Sequence, residues 1–157
     1  NRLLPDIVRC IREDRVLTIR HPDAVRPWQH VLDCLSGYLQ LAQKLWNDPG
    51  YADAWNFGPD ASAHQSVSWV VDAFRHAMNA SLVCEFERSP TAYENPFLTL
   101  NTEKAKNALE WRPLLDISTG LQWTAHWYRA QMQGEPLKAY SESQIAQYME
   151  QCHAASV

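Results

Sequence analysis

Arg20-His21-Pro22-Asp23-Ala24-Val25-Arg26-Pro27-Trp28-Gln29-His30-Val31 is the stretch on which the reading of this chain turns. It joins an extended run, Val16 to Ile19, to a long amphipathic helix through an Arg-Pro-Trp corner. An arginine held in such a corner beside an aromatic ring presents a fixed fork of donors, which suits a phosphate or pyrophosphate better than a flexible lysine does. A nucleotide-like anion is the leading ligand. The competing reading is that Arg26 caps a carbonyl or pairs with an acid such as Asp23 or Asp33.

On the amino-terminal side, Asp6 reads as the N-cap of a short helix whose apolar face carries Ile7, Val8, Cys10 and Ile11. On the carboxy-terminal side, Leu35, Tyr38, Leu39, Ala42, Leu45 and Trp46 recur at three- and four-residue steps. They predict an amphipathic helix from Asp33 that stops before Asp48-Pro49-Gly50. Ala54 to Pro59 reads as a short strand running into a turn, with Asn56 placed to face a ligand. Ser66 caps a helix with Val67, Val70, Val71, Phe74, Ala77 and Met78 in one stripe, and Ser81 to Glu87 alternates like an exposed strand. Arg88 to Pro96 is a loop of the kind that covers small-molecule sites. Asn101 or Thr102 opens a short helix through Leu109, stopped by Trp111-Arg112-Pro113, and another runs from about Ser118 to Gln133. A last helix follows Pro136, with Ser141 to Gln144 as its capping box and Ile145, Tyr148 and Met149 as its apolar edge.

At 157 residues the chain is one domain or a piece of one. The net charge is −4, and the 14 Lys and Arg form no basic block, which argues against a nucleic-acid partner while allowing one bound phosphate group. Cys10, Cys34, Cys84 and Cys152 lie far apart, and the six histidines show no ligand spacing, so no metal site is expected. A reducing, cytoplasmic setting fits. No apolar run approaches the roughly 20 residues of a membrane span, and no charged-then-apolar leader opens the chain. Asn1-Arg2-Leu3-Leu4-Pro5-Asp6 reads as the lead-in to a helix already within a fold, which points to a fragment. No Gly-rich phosphate loop follows a strand, so the main site of any dinucleotide lies elsewhere.

Three segments coincide: Arg2-Leu3-Leu4-Pro5-Asp6, the corner ending Arg26-Pro27-Trp28-Gln29-His30-Val31, and Trp55-Asn56-Phe57-Gly58-Pro59. Together they resemble the carboxy-terminal half of the CDP-glucose 4,6-dehydratase family, within the extended short-chain dehydrogenase/reductases. The resemblance runs nearly end to end, through Leu35-Ser36-Gly37-Tyr38-Leu39, Lys104-Ala105-Lys106, Trp111-Arg112-Pro113 and the final helix at Tyr140-Ser141. Related sugar-nucleotide enzymes usually carry Arg-Asp-Trp or Arg-Asp-Tyr at this corner.

The resemblance implies an α/β fold, mostly helical with a few short strands. Residues 1–157 would be the substrate-binding part, lacking most of the Rossmann sheet. It implies that the NAD-binding half, with its Gly-rich turn and catalytic Tyr-x-x-x-Lys pair, lies outside this chain. No catalytic or cofactor-binding residue is then expected here, and NAD belongs to the full-length enzyme. The family oxidises the sugar of CDP-glucose at its fourth carbon, eliminates water across carbons five and six, and returns the hydride to carbon six. The resemblance further implies a cytoplasmic homo-oligomer in deoxysugar biosynthesis for lipopolysaccharide O-antigen.

Carried over residue by residue, the resemblance gives Arg26 and Asn56 to the pyrophosphate and Arg2, Leu3, Ile19 and Arg20 to the base pocket. Glu94 goes to the sugar side of the loop Ser89 to Phe97. That loop keeps the glutamate but has Thr91, Tyr93 and Pro96 where the family tends to have histidines. Glu110 is a second departure, standing where the family usually has glycine before the tryptophan. A left-handed residue at such a helix end costs a non-glycine about 1 kcal/mol. Cytosine carries an exocyclic amine where uracil and thymine carry a carbonyl, so its pocket presents an acceptor that the sequence does not name. A non-catalytic nucleotide-sugar binding module, or an epimerase or reductase of the same superfamily, are the alternative readings.

Overall fold

The computed structural model describes residues 2–87 and 95–155. Helix α1 (Leu3–Glu13) leads into strand β1 (Leu17–Ile19), then β2 (Val25–Pro27) and helix α2 (Val31–Asn47). Strand β3 (His64–Ser66) runs straight into α3 (Val67–Ala77), followed by β4 (Cys84–Phe86), α4 (Glu103–Ala108), α5 (Ile117–Met132) and α6 (Leu137–Ala155). The strands make two small sheets. β1 pairs parallel with β4, Leu17 opposite Cys84, and β2 pairs antiparallel with β3, Arg26 opposite Gln65. The chain is thus mostly helical with a few short strands. Among the described residues no helix is long and apolar enough to cross a membrane.

The main core lies where α1, β1, α3 and α5 converge. Ile7, Val70 and Phe74 are fully buried there against Leu17, Ile19, Leu121 and Ala125. The three-to-four-residue recurrence of Val67, Val70, Val71, Phe74 and Met78 puts these side chains on the inner face of α3. Ser66 caps that helix, its hydroxyl accepting from the Trp69 amide at 3.2 Å. A smaller cluster of Phe57, Ala105, Leu109 and Trp111 sits beside α2. Phe57 meets Trp111 edge to face at 5.1 Å and lies directly over Gly37, where an added methyl would fall 2.6 Å from ring atom Cε1.

Asp33 of α2 is completely buried and knits three segments together. Its carboxylate accepts from the Leu114 amide at 2.8 Å, the Leu115 amide at 3.3 Å and the Tyr148 hydroxyl at 2.8 Å. Tyr148 also meets the Ser36 hydroxyl, which accepts from the Trp111 indole at 3.1 Å. Burial, with the nearby carboxylate, pushes the Tyr148 phenol far above its ordinary range, so it stays protonated as a donor.

Several elements differ from the sequence reading. α1 starts at Leu3, so Asp6 is a first-turn residue and Arg2 holds the cap position without a side-chain bond. Pro5 is tolerated because first-turn amides lack intrahelical partners. α2 starts at Val31, two residues early, because the His30 ring nitrogen Nδ1 accepts from the Leu32 amide. Ala54 to Pro59 forms no strand. It is an irregular span pinned by the Trp55 indole on the Tyr51 carbonyl and by Lys104 on Asp53 and the Ala54 carbonyl. Ser141 and Gln144 do not cap α6, which begins at Leu137. They instead receive the Trp127 indole and reach the Trp123 carbonyl of α5. The apolar stripe of α2 faces outward, with Leu39 72% and Trp46 91% exposed, while Asp33 and Gly37 take the buried side.

Candidate phosphate and base site

The corner is held from both sides by backbone bonds. The Val25 amide donates to the Pro96 carbonyl, the Leu98 amide to the Val25 carbonyl, and the Trp28 amide and indole to the Ala63 and Gln65 carbonyls. Amides at the start of α3, from Val67 and Ser68, donate to Ala24 and Pro22 and fold the 21–24 loop onto that helix end. Proline at position 27 fits because its β3 partner asks no amide of it at the sheet end. These bonds place Arg26 beside the end of β1 and the start of α1.

A cavity of about 290 Å³ opens there. α1 supplies Leu3 and Asp6, β1 and its exit supply Leu17, Thr18, Ile19, Arg20 and His21, and the corner supplies Arg26 and Trp28, with Val67 at the tip of α3. A neighbouring cavity of about 270 Å³ shares Arg20 and His21 and reaches Pro96. Among the described residues, two arginines and one carboxylate line the first cavity. Apolar Leu3, Ile19 and Trp28 line the same space. The combination suits a ligand with one flat apolar part and one anionic part.

Of the residues singled out in the sequence, Leu3, Ile19, Arg20 and Arg26 line this one cavity. Arg2 is exposed at the cap of α1, beside Leu3 but not in the lining. Asn56 is exposed and away from the lining, its amide donating to the Asn101 carbonyl at 3.2 Å. Glu94, with the loop Ser89 to Glu94, lies outside the described residues. Arg26 does cap a carbonyl, donating from Nη1 to Val25 at 2.7 Å. Asp33 is committed to Leu114, Leu115 and Tyr148. Asp6, Thr18, His21 and Trp28 were not assigned to the site from the sequence. Asp6 could have been, since three residues after Leu3 puts it on the same helix face.

At the entrance to α2, burial pulls the His30 imidazole below its ordinary value, against the opposing pull of Asp33. The ring is therefore neutral, with Nδ1 as the acceptor that caps the helix.

The four short strands, the arginine corner and the helices around them share their fold with parts of several solved proteins. In sequence, the chain is 34% identical over 152 residues to CDP-glucose 4,6-dehydratase from Salmonella typhimurium, covering 95% of this chain and 42% of that protein. The chain therefore spans less than half the length of that curated relative. Among solved structures, dTDP-glucose 4,6-dehydratase from Bacillus anthracis, in complex with NAD, matches with a TM-score of 0.66 at 24% identity, over 87% of this chain and 42% of that one. A UDP-glucose 4-epimerase matches with a TM-score of 0.72 at 24% identity, over 83% and 41%. RMD from Pseudomonas aeruginosa, complexed with NADPH, matches with 0.63 at 17%, over 82% and 41%. No family model matches the sequence. The resemblance to CDP-glucose 4,6-dehydratase thus extends over nearly the whole chain.

Proposed function

We propose that this chain is the substrate-binding half of a CDP-glucose 4,6-dehydratase, converting CDP-glucose to CDP-4-keto-6-deoxyglucose together with a dinucleotide-binding half. The observation that carries the reading is that Leu3, Ile19, Arg20 and Arg26, which the resemblance assigns to the substrate nucleotide, line one cavity. In it Arg26 and Arg20 supply the positive charge that a pyrophosphate requires. Leu3 and Ile19 give the pyrimidine an apolar seat. Asn56 and Arg2 lie outside the lining, so the proposed phosphate and base contacts rest on the other four.

The residues present do not fit a dinucleotide. Each glycine that could frame a pyrophosphate is already covered, Gly37 by Phe57, Gly50 by Asp48, Gly58 by Leu100 and Thr102, and Gly120 by His30. Gly134 is open but ends α5 at φ +74°. NAD would thus be held by the other half, and this chain contributes binding and orientation of the nucleotide sugar. The outward stripe of α2 supports the presence of such a half, because a stripe of this kind is ordinarily covered.

The reading is tested by titrating CDP into the chain and into Arg26→Ala, following tryptophan fluorescence, since Trp28 lines the cavity. Loss of a charge-assisted contact costs about 1.5 to 3 kcal/mol, so binding should weaken more than tenfold. Unchanged affinity removes Arg26 from the site. Turnover of CDP-glucose only after the dinucleotide-binding half is added would establish the division of labour.

A further inference from the structure

We infer that the chain carries a second binding site, remote from Arg26, that takes a small zwitterion with its carboxylate on Arg129 and its ammonium on Glu135. Helix α3 separates the two places: Val67 at its start lines the Arg26 cavity, whereas Met78, just past its end, lines a cavity of about 390 Å³. The 11 residues of α3 put about 16 Å between them. His126, Arg129 and Gln133 stand three and four residues apart, so one face of α5 brings all three to this second cavity. Glu135 comes from the turn after α5, and Tyr140 from the first turn of α6.

The decisive observation is the state of Arg129. Of the half-buried arginines and lysines, Arg75 pairs with Asp72 at 2.6 Å, Lys106 pairs with Asp60 at 3.1 Å, and Arg26 caps the Val25 carbonyl. Arg129 is half-buried too, yet among the described residues its guanidinium meets no acceptor. A cation partly withdrawn from water and left without an acceptor is unfavourable, so this wall calls for an anion. Glu135 lines the same cavity without coming into ion-pair distance of Arg129. The carboxy-terminal ends of α3 and α5 both reach the cavity and add negative potential. A plain anion would suit Arg129 but oppose Glu135 and the helix ends; a plain cation would do the reverse. A molecule carrying both charges meets both walls, and the volume falls in the range of small-molecule sites. The competing reading is that Arg129, in the last turn of α5, serves only that helix end, which gives Glu135 no part in binding.

The experiment follows the Met78 methyl resonance, assigned through Met78→Leu, while free glutamine is titrated into the chain. Glutamine is the probe because its neutral amide side chain matches the Asn79 and Gln133 amides of the lining. N-acetylglutamine lacks the ammonium, glutamine methyl ester lacks the carboxylate, and inorganic phosphate is a plain anion. Glutamine should move the resonance saturably, with each blocked form about tenfold weaker or more. Arg129→Gln should weaken glutamine by a similar factor. Glu135→Gln should weaken glutamine as well, yet leave N-acetylglutamine unchanged or tighter. Comparing probes within one variant removes any general loss of folded protein. If phosphate binds as well as glutamine and Glu135→Gln costs nothing, the site is one for plain anions and the inference is wrong. If glutamine leaves Met78 unmoved, or Arg129→Gln leaves its affinity unchanged, the inference is overturned and Arg129 serves the helix end alone.

Discussion

Glu110 holds φ at 58°, in the left-handed region that glycine enters without penalty, and it does so directly after α4. The Trp111 amide then turns back to the Ala105 carbonyl, so the conformation is needed to bring Trp111 under Phe57. Glu110→Gly should raise stability by about 1 kcal/mol, visible as a later urea midpoint with an unchanged slope. An unchanged or earlier midpoint would mean that the glutamate is not strained. This feature was legible only through the resemblance, where glycine is usual at this position and marks a backbone angle that other residues enter at a cost. Asp6 was legible only as a helix-start residue, since acids near helix starts are common for local electrostatic reasons. Its place in a cavity depends on β1 and β2, which no local pattern reveals.

Elements show the same division. Stripe and cap chemistry together located α3, and the stripe alone located α2, because a helix with one apolar face and a side-chain acceptor at its start is specified within a dozen residues. The pairing of β2 with β3 was not readable, since it joins residues far apart along the chain, as the bond from the Trp28 indole to the Gln65 carbonyl illustrates. His30 as a cap was missed because a neutral imidazole is needed for the role, and burial is what keeps it neutral. A pH dependence follows. The folded ring titrates below the ordinary value of 6.5, so below that value the unfolded chain binds more protons than the folded one. The His30 contribution is therefore complete above it and declines as pH falls toward the folded value. His30→Asn keeps a capping oxygen and should flatten this part of the slope when thermal midpoints are compared between about pH 7.5 and about pH 5. Parallel curves for the two proteins would show that His30 does not titrate between the states.

At the scale of the molecule, the largest departure from the sequence pattern is the outward face of α2. Periodicity identified the stripe correctly, yet it cannot say whether a stripe meets the chain's own core or another body. With Leu39 and Trp46 so exposed, the isolated chain should self-associate as its concentration rises, and Leu39→Lys with Trp46→Lys should abolish this in sedimentation experiments while leaving the helical spectrum intact. A monomeric wild type would argue that the stripe needs no cover. The Asp33 knot works at the same scale but inward. Its phenol donor lies 115 residues further along the chain than the carboxylate. As the chain leaves the ribosome, α2 therefore appears long before the group that makes burial of its carboxylate tolerable, and a buried charge without its donors is strongly unfavourable. The inner side of α2 must stay wet until α6 has been synthesised, which makes this polar clasp a late event and leaves nascent chains that stall before Tyr148 without it.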